Sequence, residues 1–212
     1  MLFRSDVPRG VICDEDLLRT LNDQDWRTGF SEAVKIACLR DRAFMDEIVK
    51  SSEGIRNRDA DAARPVIHRC AELHLHHITR GGDPFERQEA RPLDFGHWAA
   101  HRLEAMSNWE IRHGDAVSIG IALDTVYSKL CGLLEESACR RVLDTLRGLD
   151  LPIHHDLLND SATLLAGLQE FREHLGGRLT ITLLKDIGDA VDVHEMDDQL
   201  ILRAINELTE EH

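Results

Sequence analysis

Apolar positions recur at helical spacing through most of the chain. Trp26, Phe30, Val34 and Cys38 follow one another at four-residue steps, which predicts a helix through DWRTGFSEAVKIACLRD. The pattern resumes after a break over Asp41–Val49. Ala60–Thr79 reads as a long helix with Val66, Cys70, Leu73 and His77 on one face, and Pro65 delays or kinks its start. The stretch RGGDPFERQEARP (80–92) reads as a loop by its Gly and Pro content. Phe95–Met106 and Ala116–Leu134 follow as helices, the second with Leu123, Val126 and Leu130 on its apolar face. Ala138–Leu149 is another helix and LPIHH (151–155) a turn. Ser161–His174 is a helix with Ser161 at its N-cap, ended by Gly176-Gly177. Two places change period. GVICD (10–14) reads as one strand leading into a helix over Glu15–Leu21. RLTITLL (178–184) alternates, Gly188 turns the chain, and AVDVHEM (190–196) reads as the return strand. Asp197–Leu208 closes the chain as a helix. The predicted fold is mainly α, a multi-helical domain with one small late β-hairpin and an orphan N-terminal strand. A lone strand is anomalous, because strands need hydrogen-bonded neighbours.

The chain has 212 residues, and that length with 42% apolar residues suits one domain with a real core rather than a disordered chain. No apolar run approaches the ~18 residues of a membrane span, and the start, MLFRSDVPRG, lacks the apolar stretch of a signal peptide. Acidic residues outnumber basic ones 39 to 25, a net charge of −14, so there is no basic footprint for nucleic acid. The cysteines at 13, 38, 70, 131 and 139 are odd in number and lack CxxC spacing. They read as reduced thiols in a cytoplasmic protein, mostly filling the core.

Histidines are numerous, 12 in all, and they cluster. In RPLDFGHWAAHRLE (91–104), His97 and His101 are four apart and share a helical face. His113 follows sixteen positions after His97, at the start of the next helix. Glu32 lies inside an apolar helical pattern with Lys35 one turn later. Two imidazoles and a carboxylate form a donor set suited to Zn²⁺ that leaves a coordination position open. The spacing alone leaves the blander readings standing. The histidines could be polar residues at helix ends, Glu32 and Lys35 a surface pair, and Asp94 a helix cap. His74, His76 and His77 form either a second metal-binding group or a solvated helix face.

The segments that hold these residues resemble a family. GFSEAVK (29–35) resembles the metal-ligand helix of 3-dehydroquinate synthases, G-x-A-E-V-I-K. LDFGHWAAH (93–101) resembles their L-N-x-G-H-x-x-x-H segment, and RHGDAVSIGIAL (112–123) their H-G-E-A-V-A-x-G segment. HRCAELHLHHI (68–78) aligns with the helix that ends C-x-x-L-K. The four segments occur in the family's order. The resemblance implies that Glu32, His97 and His113 ligate zinc and that His101 and Lys35 serve catalysis. Asp94, Arg172 and His74 fall to substrate binding, and no NAD-binding residue lies in this chain. It further implies a phosphorylated sugar substrate, a homodimer, and a carbon–oxygen lyase reaction in which NAD transiently oxidises the substrate, phosphate leaves, the hydride returns and an aldol step closes a carbocycle.

Several positions depart from the family pattern. Asp94 stands where Asn is usual, and His74 replaces the Lys of C-x-x-L-K. Ala90, with Arg91 beside it, stands where Arg is expected. The loop carries an extra GGDPFE (81–86), with Asp83 and Glu86 in it, and FREHLGG (171–177) replaces a D-K-K stretch. Fewer carboxylate-binding cations make the chain look more like the sedoheptulose 7-phosphate cyclases of the 2-epi-5-epi-valiolone synthase type. No Gly-rich nucleotide-binding loop is present. Residues 1–14 therefore read as the last strand of an absent nucleotide-binding α/β domain, and residues 15–212 as the metal- and substrate-binding domain. The missing half is expected to act in cis or in trans, to expose apolar surface around Val11–Cys13 when absent, and to leave the isolated chain inactive. Two rivals remain. One is half of a metal-dependent dehydrogenase of the glycerol or alcohol type. The other is a non-catalytic helical metal-binding scaffold.

Overall fold

The computed structural model describes residues 10–80, 92–174 and 178–211. Asp14 caps a short 3-10 helix, Glu15–Thr20, where an α-helix to Leu21 is expected from the sequence. Asn22 caps α1 (Asp23–Thr28), its side chain accepting from the Asp25 amide. Gly29 then divides the expected continuous helix, and α2 runs over Phe30–Arg40. Asp41 caps α3 (Arg42–Arg56), which continues well past Val49. α4 spans Ala60–Arg80 with Pro65 inside its first two turns. A 3-10 turn, Pro92–Asp94, leads to α5 (His97–Met106). α6 (His113–Leu130) starts nearly one turn before the expected Ala116 and stops short of Leu134. α7 (Glu136–Gly148), a 3-10 turn (Asp156–Asn159) and α8 (Ser161–His174) follow. The side chain of Asp160, not Ser161, accepts from the Thr163 amide at the start of α8.

The C-terminal part is a hairpin and a last helix. β1 (Ile181–Asp186) pairs antiparallel with β2 (Asp189–Val193), with Ile181 opposite Val193 and Leu183 opposite Val191. α9 (Asp198–Glu210) is capped by Asp197. Residues 10–14 form no strand. Among the described residues the only strands are β1 and β2, which pair with each other, so this segment has no ladder to join. Val11, Ile12 and Leu17 are 77%, 95% and 64% exposed, as expected for an apolar lead-in without a neighbour.

α6 is the axis of the fold. Every residue from Ala116 to Ser128 is buried, so this helix is surrounded rather than amphipathic. It packs on α5, α9, α7, α2 and β1. α2 is almost as deeply buried, with Val34, Ala37 and Cys38 wholly enclosed, and it contacts α3, α4, α6 and both strands. The hairpin ties the two helices together. The Gly188 amide at its turn donates to the Cys38 carbonyl (2.7 Å), satisfying one of the free carbonyls at the end of α2. The Leu184 amide donates to Ser128 Oγ on α6 (3.1 Å). All five cysteines are free thiols. No helix among the described residues is long and apolar enough to cross a membrane.

Candidate metal centre

Three helices deliver the site. Glu32 comes from the first turn of α2, His97 opens α5, and His113 opens α6. One ligating atom from each lies within 4.8 Å of the others. Glu32 Oε1 is 3.7 Å from His97 Nε2 and 3.8 Å from His113 Nε2. The other carboxylate oxygen, Oε2, takes the Lys35 ammonium at 2.6 Å. Lys35 is buried beside it on the next turn of α2.

Both imidazoles are held by the nitrogen that faces away from Glu32. His97 Nδ1 lies 3.1 Å from the Phe95 carbonyl. A carbonyl only accepts, so Nδ1 carries the proton and Nε2 presents its lone pair to the cluster. His113 Nδ1 lies 3.2 Å from Glu104 Oε1, which fixes the second ring in the same sense. Outer hydrogen bonds of this kind are what orient metal-binding histidines. A tetrahedral zinc with bonds of about 2.0–2.1 Å spaces its ligand atoms roughly 3.4 Å apart. The donors present, two neutral nitrogens and a carboxylate oxygen, therefore fit a divalent cation after a modest contraction.

The electrostatics favour the same protonation states. Burial alone would raise the Glu32 carboxyl. The Lys35 charge and hydrogen bond, with help from His97 and His113, outweigh burial and keep the carboxyl below its usual range. Burial, reinforced by the Lys35 charge, pushes the His97 imidazole down to about 4 against the pull of Glu32. In the metal-free protein the native state thus binds fewer protons at His97 than the unfolded chain does. Its contribution to stability is fully present above the unfolded value of about 6.5 and is lost as pH falls through about 4. Urea midpoints between pH 7 and pH 4.5 should therefore fall less steeply in His97→Asn than in the wild type. Equal slopes would show that His97 titrates normally.

His101 stands beside the triad. Its ring is 5.6 Å from His97 and 6.3 Å from His113, centroid to centroid. Asp94 lies in the 3-10 turn just before α5 and is half-buried. His74 is not part of the cluster. It is exposed on α4 and borders an apolar groove of about 340 Å³ with Trp26, Phe30 and Cys70. His76 is exposed as well and His77 half-buried, as on a mixed, solvated face, and among the described residues the three histidines do not form a second metal-binding group. Arg172 lies in α8, but its side chain is outside what the structure describes, as are Asp83, Glu86, Ala90, Arg91 and Gly176-Gly177.

Two groups escape the sequence reading. Glu104 is buried and holds His113. It sits seven after His97, on the same helical face, so the run His97, His101, Glu104 carried a signal. Asp124, an acid inside the apolar run of α6, is fully buried. It accepts from the Gly96 amide (2.9 Å) and from Trp98 Nε1 (2.8 Å), the two residues that flank His97. Replacing Glu104 with Gln keeps the volume but weakens the grip on His113. Zinc affinity is then expected to fall on the order of 10–100-fold, read by competition with a chromogenic chelator. An unchanged affinity would mean that Glu104 does not orient His113.

The position of α5 depends on contact between backbones. Gly96 has φ +77°, and a Cβ there would lie 2.7 Å from the Ile121 amide nitrogen. A Cβ on Gly120 would overlap the Gly96 carbonyl. The two glycines let α5 start directly on the body of α6, and that contact places His97 against the cluster.

A buried helical body that converges two imidazoles and a carboxylate from three helices defines a helical domain with a candidate divalent-cation site. Residues 29–171 match the family model for the 3-dehydroquinate synthase C-terminal domain, and the chain belongs to that family. It is 29% identical over 204 residues to a 3-dehydroquinate synthase of Xanthomonas axonopodis pv. citri, covering 93% of this chain and 55% of the relative. To that of Coxiella burnetii it is 30% identical over 194 residues, covering 91% and 53%. Among solved structures it resembles the 2-epi-5-epi-valiolone synthase of Streptomyces hygroscopicus subsp. jinggangensis, which has NAD+ and Zn2+ bound. That match has a TM-score of 0.87 and 31% identity and covers 94% of this chain and 55% of that one. A 2-deoxy-scyllo-inosose synthase, at 17% identity and a TM-score of 0.67, shares the fold. The chain spans about half the length of the relatives it matches.

Proposed function

We propose that this chain is the metal- and substrate-binding half of a sugar phosphate cyclase, a carbon–oxygen lyase that eliminates phosphate and closes a carbocycle. The observation that carries the reading is the convergence of two imidazole Nε2 atoms on Glu32, each ring held by its other nitrogen. Family membership and the likeness to a zinc-bound valiolone synthase support it. Residues 15–212 would form this half. Residues 1–14 would lead in from a nucleotide-binding half, in cis or in trans, whose sheet would supply the neighbours that residues 10–14 lack. NAD would be held on that other half.

Glu32, His97 and His113 would hold zinc. When bound, the metal would supply a Lewis acid that polarises a substrate hydroxyl and stabilises the alkoxide left by proton loss, from which a hydride passes to NAD. Lys35 fixes the orientation of Glu32 through its 2.6 Å contact and offers the site a buried positive charge. His101, whose ring lies beside those of His97 and His113, would hold or move a substrate proton. Asp94 would lie near the ring hydroxyls, His74 would add to substrate binding from α4, and Arg172 would meet the departing phosphate. An acid at 94 and an imidazole at 74 suit a substrate without a carboxylate, which favours a heptulose phosphate over the dehydroquinate precursor. A homodimer in the cytoplasm completes the proposal.

The test is phosphate release from sedoheptulose 7-phosphate with NAD and zinc. The chain alone should release none. Addition of a separately produced nucleotide-binding half from a relative should restore turnover, with carbocyclic product by mass spectrometry. Turnover by the chain alone would overturn the half-enzyme reading. Silence in both, despite a formed complex, would favour a scaffold.

A further inference from the structure

Asp124 is fully buried, and no basic side chain pairs with it among the described residues. Burying a carboxylate without a cation costs several kcal/mol, and an apolar residue would pack in its place. Burial duly pushes this carboxyl up to about 7, against the hydrogen bonds from Trp98 and Gly96. The position of its donors gives the group a use. The Gly96 amide nitrogen and the Phe95 carbonyl belong to one peptide unit, which is planar and rigid. Asp124 Oδ2 holds the N–H edge of that plane at 2.9 Å. His97 Nδ1 meets the C=O edge at 3.1 Å. Trp98 Nε1 donates separately to the other oxygen, Oδ1, at 2.8 Å. The Ser128 hydroxyl joins the Asp124 carbonyl to the Leu184 amide of β1 and keeps this part of α6 in register.

We propose that Asp124 is a positioning residue that sets the tautomer and direction of the His97 ring through the Phe95–Gly96 peptide. The lever runs from a buried acid on α6 to a ligating nitrogen on α5. With the peptide anchored, its carbonyl demands a proton on Nδ1, and Nε2 is left free toward Glu32 and His113. With the anchor gone, the peptide can rotate and His97 has no reason to prefer one tautomer.

The test is ¹⁵N NMR of His97 in the metal-free full chain at neutral pH, where ring shifts distinguish the tautomers. The wild type should show a protonated Nδ1 and a bare Nε2. Asp124→Leu keeps the branched shape, at a larger volume, and removes both acceptors, and it should give a mixture. Trp98→Phe disturbs the same packing but leaves the Gly96 bond, and it should read as wild type. Trp98→Phe/Asp124→Asn offers the Gly96 amide an acceptor with no competing donor and should also read as wild type. A single Nδ1-protonated tautomer in Asp124→Leu overturns the proposal. If that variant does not fold, a mixture in the double variant overturns it. A second readout rests on the metal-centre reading. Zinc affinity should fall on the order of 10–100-fold in Asp124→Leu and stay unchanged in Trp98→Phe. The two ideas fail separately, because a wild type with the expected tautomer but no zinc binding sinks the metal centre and leaves the role of Asp124 standing.

Discussion

Elemental analysis of the purified chain should find about one zinc per molecule, and His97→Ala should carry none. The expectation follows from the donor set. Three protein ligands plus one open position is the minimum for a catalytic zinc site. His97 is the best held of the three, because its side chain is only 10% exposed while those of His113 and Glu32 are 51% and 38% exposed. Removing an outer partner costs roughly 10–100-fold in affinity. Removing a ligand leaves two, so the loss should exceed that range and empty the site through dialysis. Glu32→Gln should lose most of its metal too, since an amide oxygen is a poorer donor and no longer attracts Lys35. Wild-type protein without metal would mean that residues outside this chain must close the site. Full zinc in His97→Ala would mean that the metal sits elsewhere.

The second large effect belongs to the glycine crossing. Gly120→Ala should destabilise the chain by about 3 kcal/mol or more, the upper end of what overpacking costs. The added methyl meets the Gly96 carbonyl, a backbone atom that cannot rotate aside. Against a total stability on the order of 5–15 kcal/mol, that is a large share. Gly132→Ala is the control. Gly132 also has a positive φ, +72°, but nothing lies within 4 Å of a Cβ there, so its cost should be only the ~1–2 kcal/mol of a left-handed residue. Urea unfolding of both variants measures the difference, and equal costs would show that α5 and α6 part without penalty.

Much of this arrangement was legible in the sequence because it is periodic. The long helices and the late hairpin follow from local chemistry, as does the shared face of His97 and His101, whereas the caps at Asp41 and Asp197 come from the structure. The split at Gly29 did not show, since α1 and α2 keep the same apolar spacing across it. The helical period becomes apolar only at Ala116, so the first turn of α6 does not show in it; there Gly114 lies against Thr28, a contact that spacing along the chain does not record. GVICD has strand composition, but a strand is defined by its partner, and the partner is not among the described residues. Glu104 and Asp124 were missed for one reason. Each acts through a tertiary neighbour, Glu104 on the next helix and Asp124 on the previous one, and composition does not record where two helices touch.

The hairpin tip also limits where this chain can be shortened. Gly188 bonds to the last turn of the helix that carries Glu32, and Leu184 to the helix that His113 opens. A stop codon placed before residue 178 would therefore remove no ligand, yet it would free both helix contacts at once. Deletion from the C-terminal side, a common way to trim a domain for expression, is closed to this protein.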